Sequence, residues 1–155
     1  MSRIDDHMSA VGITLPPAQQ ALTDHASVVI HRGLAFLAGH GPMDSNRKPL
    51  VTGAVGLDVT EEQAKQAARI AALNAMASLR AACATLDCVE QVVRVTGYVL
   101  SAPGFSRQPW VVDGASELLV EIFGPEVGRH ARTSVGVASS ALNMSVTLDI
   151  VVGVK

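Results

Sequence analysis

The chain has 155 residues, 48% of them hydrophobic, 17% charged and 3% aromatic, with 12 Lys and Arg against 14 Asp and Glu. A chain of this length buries roughly 68–70% of the surface that its unfolded form exposes, so a single domain over residues 1–155 can fold without disulfides or a metal. The net charge of −2 offers no basic field to phosphate backbones or anionic lipid. No apolar run reaches the ~20 residues that span a bilayer, and the start MSRIDDHMSA lacks a signal peptide's apolar core, so a cytoplasmic protein with no nucleic-acid or membrane partner is expected.

Residues 1–25, which include Leu15-Pro16-Pro17, show no periodicity and predict an irregular arm over the surface or a neighbouring subunit. Two β-rich runs, Ser27 to Ile30 and Leu34 to Ala38, flank His31-Arg32-Gly33 and predict a hairpin. From Gly39 to Asp58 the glycines and prolines predict an irregular connection. Thr60 then supplies a helix N-cap, with Glu61 and Glu62 in the first turn and Gln63 completing a capping box. The helix is expected to run to about Thr85. Ala64, Ala67, Ala68, Ala71, Ala75, Leu79, Ala82 and Leu86 form its apolar stripe, and so many alanines imply close approach to a sheet. Cys83 and Cys88, near its end, fit neither a CxxC pair nor a zinc half-site and are expected to pack as small hydrophobes.

Val92 to Leu100 reads as a strand stopped by Ala102-Pro103-Gly104. Leu118, Leu119, Ile122 and Phe123 make one face of a second, shorter helix that Gly124-Pro125 ends. Thr133 to Ala138 and Met144 to Val154 are two more strands. In the last, the even-numbered residues Met144 to Val154 line an apolar face, and Ser145, Thr147, Asp149, Val151 and Gly153 line the other. This order predicts an α+β domain, a mixed sheet with both helices on one face. Val93, Val95 and Val99 and their neighbours leave more apolar surface than a monomer exposes, which predicts a homo-oligomer.

The chain contains no P-loop, no GxGxxG, no GxSxG and no HExxH. His7, His25, His31, His40 and His130 have no metal-site spacing, so neither metal nor cofactor is expected. Chemistry concentrates in Gly128-Arg129-His130-Ala131-Arg132-Thr133-Ser134, a cationic run entering a strand. An arginine there suits a small carboxylate through two parallel N–H bonds, and alternation puts Ser134 on its face; a plain salt-bridge role is the alternative.

Several segments together resemble the YjgF/RidA family, also called the endoribonuclease L-PSP family. Leu37-Ala38-Gly39-His40-Gly41-Pro42 is similar to its V-S-G-Q-x-P motif, and Val92 to Tyr98 to its V-x-K-x-T-V-F strand. His130-Ala131-Arg132-Thr133-Ser134-Val135, after Phe123-Gly124, is similar to its P-A-R-S-x-V. The likeness covers roughly residues 20 to 154, and the long Ala102-Pro103-Gly104-Phe105 segment marks a divergent subgroup.

The resemblance implies a chorismate-mutase-like fold and a homotrimer with a central barrel and small-molecule clefts between subunits. It also implies cofactor-free hydrolysis of enamine or imine intermediates to 2-keto acids and ammonia. By that likeness Arg132 anchors a carboxylate, with Ser134, Gly39, His40, Val135 and Ser116 as further binding residues. The family glutamate associated with the catalytic water falls on Thr147, which has no titratable group near neutral pH; Asp149, two residues on along the same face, is its candidate replacement. The Asn and Tyr of the family's second helix correspond to Ser116 and Leu119, and the Gln of its first motif to His40. Three functions follow: an imine hydrolase, a non-catalytic carboxylate binder that lost its water activator, and a ribonuclease. The few aromatic residues and the negative charge disfavour the last.

Overall fold

The computed structural model describes residues 2–155. Helix α1 (Arg3–Ala10) is followed by strands β1 (Val28–His31) and β2 (Leu34–His40), helix α2 (Glu61–Cys83), strand β3 (Val89–Leu100), helix α3 (Gln108–Gly128) and strands β4 (Ala131–Val137) and β5 (Val146–Val154). The sheet runs β1-β2-β5-β3-β4, antiparallel throughout except for the parallel pair β3 and β4. α2 and α3 cover one face, the α+β arrangement that the hydrophobic pattern predicts.

The irregular arm is corrected in part. Residues 3–10 form a helix whose N-cap Ser2 accepts from the Asp5 amide at 3.1 Å, and which buries Ile4 and Met8, one turn apart. Eight residues cannot hold a helix by propensity, so the contacts that fix it are distant. Asp87 accepts from the amides of Arg3 and Ile4 at 2.9 and 3.0 Å, anchoring the exposed N-terminal end. Those bonds, the Ile4 amide first, hold its carboxyl below the usual range.

α2 carries the predicted capping box, with Thr60 and Gln63 bonded reciprocally at 2.9 and 3.1 Å. Its alanine stripe lies on the sheet up to Leu79. Ala82 is exposed, and Leu86 regains the core through a short 3-10 turn. The helix also buries two polar residues that interrupt the apolar pattern, Asn74 and Ser78. α3 begins at Gln108, earlier than the apolar residues suggest, and Gly124 interrupts it at φ 80°. The two helices meet where Gly114 faces the backbone carbonyl of Lys65, and a Cβ there would clash with that oxygen.

In β5, Val146, Leu148, Ile150, Val152 and Val154 are buried under the helices, and Thr147, Asp149 and Val151 face away. A bulge in β3 divides the three valines read as one apolar surface: Val95 and Val99 lie under the helices, and Val93 is exposed. The open face instead carries apolar side chains from Val29, Phe36 and Val135, all among the exposed large hydrophobics. Cys83 and Cys88 are free and half-buried; burial first, then the neighbouring Cys83 thiol, pushes the Cys88 thiol up to about 12, so it stays protonated near neutral pH.

Candidate functional site

The sequence-predicted residues fall into three places. Arg132 and Ser134 lie on the helix side of edge strand β4, in register with the helix-facing Val95 and Gly97 of β3. Thr147, Asp149 and Val135 lie on the open side, where Tyr98 pairs with Thr147 and Val135. Gly39 and His40 close the end of β2. A Cβ on Gly39 would sit 3.2 Å from the Thr147 methyl, so Gly39 joins the open side. Arg132 therefore shares a protomer face with Ser134 and Ser116, and within one protomer the sheet separates it from Thr147 and Asp149.

The arginine cluster follows from two periodicities. Asp113 and Ser116 are three residues apart on α3 and share one of its faces, while His130 and Arg132 alternate into the same space from the other side. Arg132 Nη1 donates to Asp113 Oδ1 at 2.7 Å and to Ser116 Oγ at 3.1 Å. Ser116 Oγ lies 2.9 Å from His130 Nε2, and His130 Nδ1 lies 2.7 Å from the Gly128 carbonyl. A carbonyl only accepts, so Nδ1 carries the hydrogen and the lone pair of the neutral ring sits on Nε2, toward the serine. Gly128, the last residue of α3, makes this possible by packing tightly on the part of the helix before the Gly124 break: a Cβ there would lie 2.6 Å from the Leu119 carbonyl.

Burial is the main cause that pushes the His130 pKa down; the Gly128 bond opposes it and the Arg132 charge reinforces it. The ring is neutral near pH 7. Ser116, Val120, Arg129, His130 and Arg132 line a cavity of about 280 Å³. Ser134 Oγ is buried with no hydrogen-bond partner among the described residues.

His40 is engaged differently. Its Nδ1 lies 2.6 Å from the Ala38 carbonyl and its Nε2 2.8 Å from Ser78 Oγ, and burial lowers its pKa. Asn74, one turn before Ser78, donates to the carbonyls of Gly41 and Met43 at 2.9 and 3.0 Å. His40 thus fixes the β2 exit to α2, beside a cavity of about 260 Å³. On the open face Tyr98 Oη donates to Asp149 Oδ2 at 3.1 Å, which raises the Tyr98 pKa. Among the described residues no three His, Cys, Asp or Glu side chains form a group able to hold a metal ion. Among the described residues no helix is long and apolar enough to cross a membrane.

The motifs point to Arg132 and Ser116 and leave out His130, which bonds to Ser116 and lies beside the Arg132 charge. The available signal was its two-residue spacing from Arg132, which puts both side chains on one side of a strand.

The family model described as "YjgF/chorismate mutase-like, putative endoribonuclease" matches residues 5–151. Protein TCP17 of Trypanosoma cruzi is 35% identical over 150 residues, covering 97% of this chain and 93% of that protein. The crystal structure of Atu1372 from Agrobacterium tumefaciens is similar at a TM-score of 0.89 and 37% identity, over 98% of this chain and 92% of that one. E. coli TdcF, solved with bound serine, shares the fold at a TM-score of 0.60 and 17% identity, over 89% of this chain and 93% of that one.

Proposed function

From the premise that the chain belongs to the YjgF/chorismate mutase-like family, we propose that it binds a small carboxylate metabolite through Arg132 and hydrolyses enamine or imine intermediates to 2-keto acids and ammonia. The observation that carries this reading is the Arg132 guanidinium, placed on edge strand β4 beside a cavity of about 280 Å³ and bonded to two side chains of α3. A guanidinium with N–H groups left beyond those two bonds can take a carboxylate, and an iminium carbon is already electrophilic, so positioning supplies much of the acceleration. The buried, unpartnered Ser134 hydroxyl on the same face supports a polar ligand next to the arginine.

The assembly is a homotrimer whose clefts lie between subunits. The exposed Val29, Phe36 and Val135 on the uncovered sheet face, and the unpaired backbone edge of β4, support burial against further copies of the chain. Phe36→Glu is expected to shift the sedimentation coefficient from trimer to monomer; an unchanged trimer would remove the sheet face from the interface.

The test of the reaction is pyruvate formation from enzymatically generated 2-aminoacrylate, with wild type and Arg132→Ala compared with the spontaneous rate. Acceleration by wild type that is lost in the variant is expected; equal rates in all three overturn it. A second reading, a binding trimer without catalysis, is favoured by Thr147, which brings no titratable group to the position of the family glutamate. It predicts calorimetric binding of pyruvate that Arg132→Ala abolishes, without any acceleration by wild type.

A further inference from the structure

We infer that Ser116 and His130 together form the proton acceptor for the hydrolysis, standing in for the carboxylate that position 147 lacks. The inference rests on the imine-hydrolysis reading above. Its geometry is independent of that reading.

Four groups form one directed chain. Arg132 Nη1 donates to Ser116 Oγ at 3.1 Å; the serine hydroxyl then has its proton free for His130 Nε2 at 2.9 Å, and the Gly128 carbonyl accepts the Nδ1 hydrogen at 2.7 Å. The carbonyl fixes the tautomer and ring orientation, the task an acidic residue performs in a serine–histidine–aspartate arrangement. The pair opens on the cavity that Arg132 also lines, so a ligand anchored by the guanidinium lies within reach of the serine oxygen. The charged groups around the ring are Arg132 and Arg129 from its own segment and Asp113 and Glu117 from α3. Asp113 is held by Arg132, and Glu117 by Lys65 at 2.9 Å. Neither carboxylate competes for the ring nitrogens.

The step balances. A water oxygen bonds to the iminium carbon as the C=N π pair moves to nitrogen. The water's proton passes to Ser116 Oγ while the serine's own proton passes to His130 Nε2. The imidazolium then returns its proton along the same path to the amine nitrogen. The C–N bond breaks as the hydroxyl oxygen forms the carbonyl, and the hydroxyl proton leaves with ammonia as ammonium.

The experiment uses the 2-aminoacrylate assay with wild type, Arg132→Ala, His130→Ala and Ser116→Ala. His130→Ala and Ser116→Ala are each expected to lower kcat by about 10²-fold or more with KM little changed. The acid limb of the wild-type profile, with its midpoint below 6.5, disappears in His130→Ala. Added imidazole restores part of the rate in His130→Ala, an effect that a purely structural histidine would not produce. Wild-type kcat in both His130→Ala and Ser116→Ala, with Arg132→Ala inactive, overturns the proton acceptor and leaves the imine-hydrolysis reading intact. Wild type no faster than the spontaneous reaction overturns both.

Discussion

The molecule builds the same device twice. His40 and His130 each direct Nδ1 to the carbonyl two residues earlier and Nε2 to a helix serine, Ser78 on α2 and Ser116 on α3. The surroundings differ. His40 is 9% exposed and Ser78 4%, and the pair ties a strand end to the helix that covers it. His130 and Ser116 are half-buried at a sheet edge, and Arg132 supplies a positive charge to the serine oxygen. One pair is closed into the core and contributes stability. The other faces a cavity with a charged anchor, where a fixed tautomer and a polarised hydroxyl are useful to chemistry.

The comparison breaks most directly on stability. His40→Ala leaves a cavity and an unpartnered Ser78 hydroxyl, and is expected to cost about 2–4 kcal/mol in urea denaturation. His130→Ala, at a half-solvated edge, is expected to cost about 1 kcal/mol or less. Comparable losses in the two variants would place both pairs in the same structural role.

Acid should separate the pairs next. Both imidazoles have folded pKa values lowered from 6.5, by burial first. Below 6.5 the unfolded chain binds more protons than the folded one, so their contribution is present above 6.5 and is lost as the pH falls through the lowered folded values. Urea midpoints at neutral pH and at about pH 5 should show this loss, reduced more by His40→Gln than by His130→Gln, because His40 is the more buried. An acid loss unchanged in His40→Gln would mean that other groups carry it.

A third serine sharpens the contrast. Ser134 Oγ is buried like Ser78 Oγ but has no imidazole or other partner among the described residues, so Ser134→Ala is expected to gain about 1 kcal/mol in thermal or urea unfolding. A loss instead would mean that the hydroxyl already has a partner in solution. The smallest effect concerns Asp113, which occupies Arg132 Nη1 at 2.7 Å with both side chains partly exposed. Asp113→Asn is expected to tighten pyruvate binding roughly two- to fivefold by calorimetry, the range of a partly exposed ion pair. Weaker binding would make Asp113 a support for the guanidinium instead of a competitor for it.

Much of the fold was legible because its signals are local. The capping box at Thr60, the alanine stripe on α2, the alternation along β5 and the turn at Arg32-Gly33 each lie within a few residues of one another. α1 leaves no local trace because its holding group, Asp87, is far along the chain, and the face taken by the β3 valines cannot be read from alternation because a bulge shifts it. Arg132 was legible by type and motif, whereas its partners Asp113, Ser116 and His130 converge only once α3 lies on β4.

The sequence by itself determined the α+β class, the order of the strands and the two long helices after residue 25, the family likeness and the arginine at a strand entrance, since hydrophobic period, caps and short motifs act over one or two turns. Only the tertiary structure decided that Arg132 and Thr147 lie on opposite faces of the sheet, and that two similar histidines receive different surroundings. Burial, charge proximity and hydrogen-bond direction depend on which elements pack together, and residues 14 or 38 positions apart in the chain, as Ser116 and His130 or His40 and Ser78 are, carry no local trace of meeting.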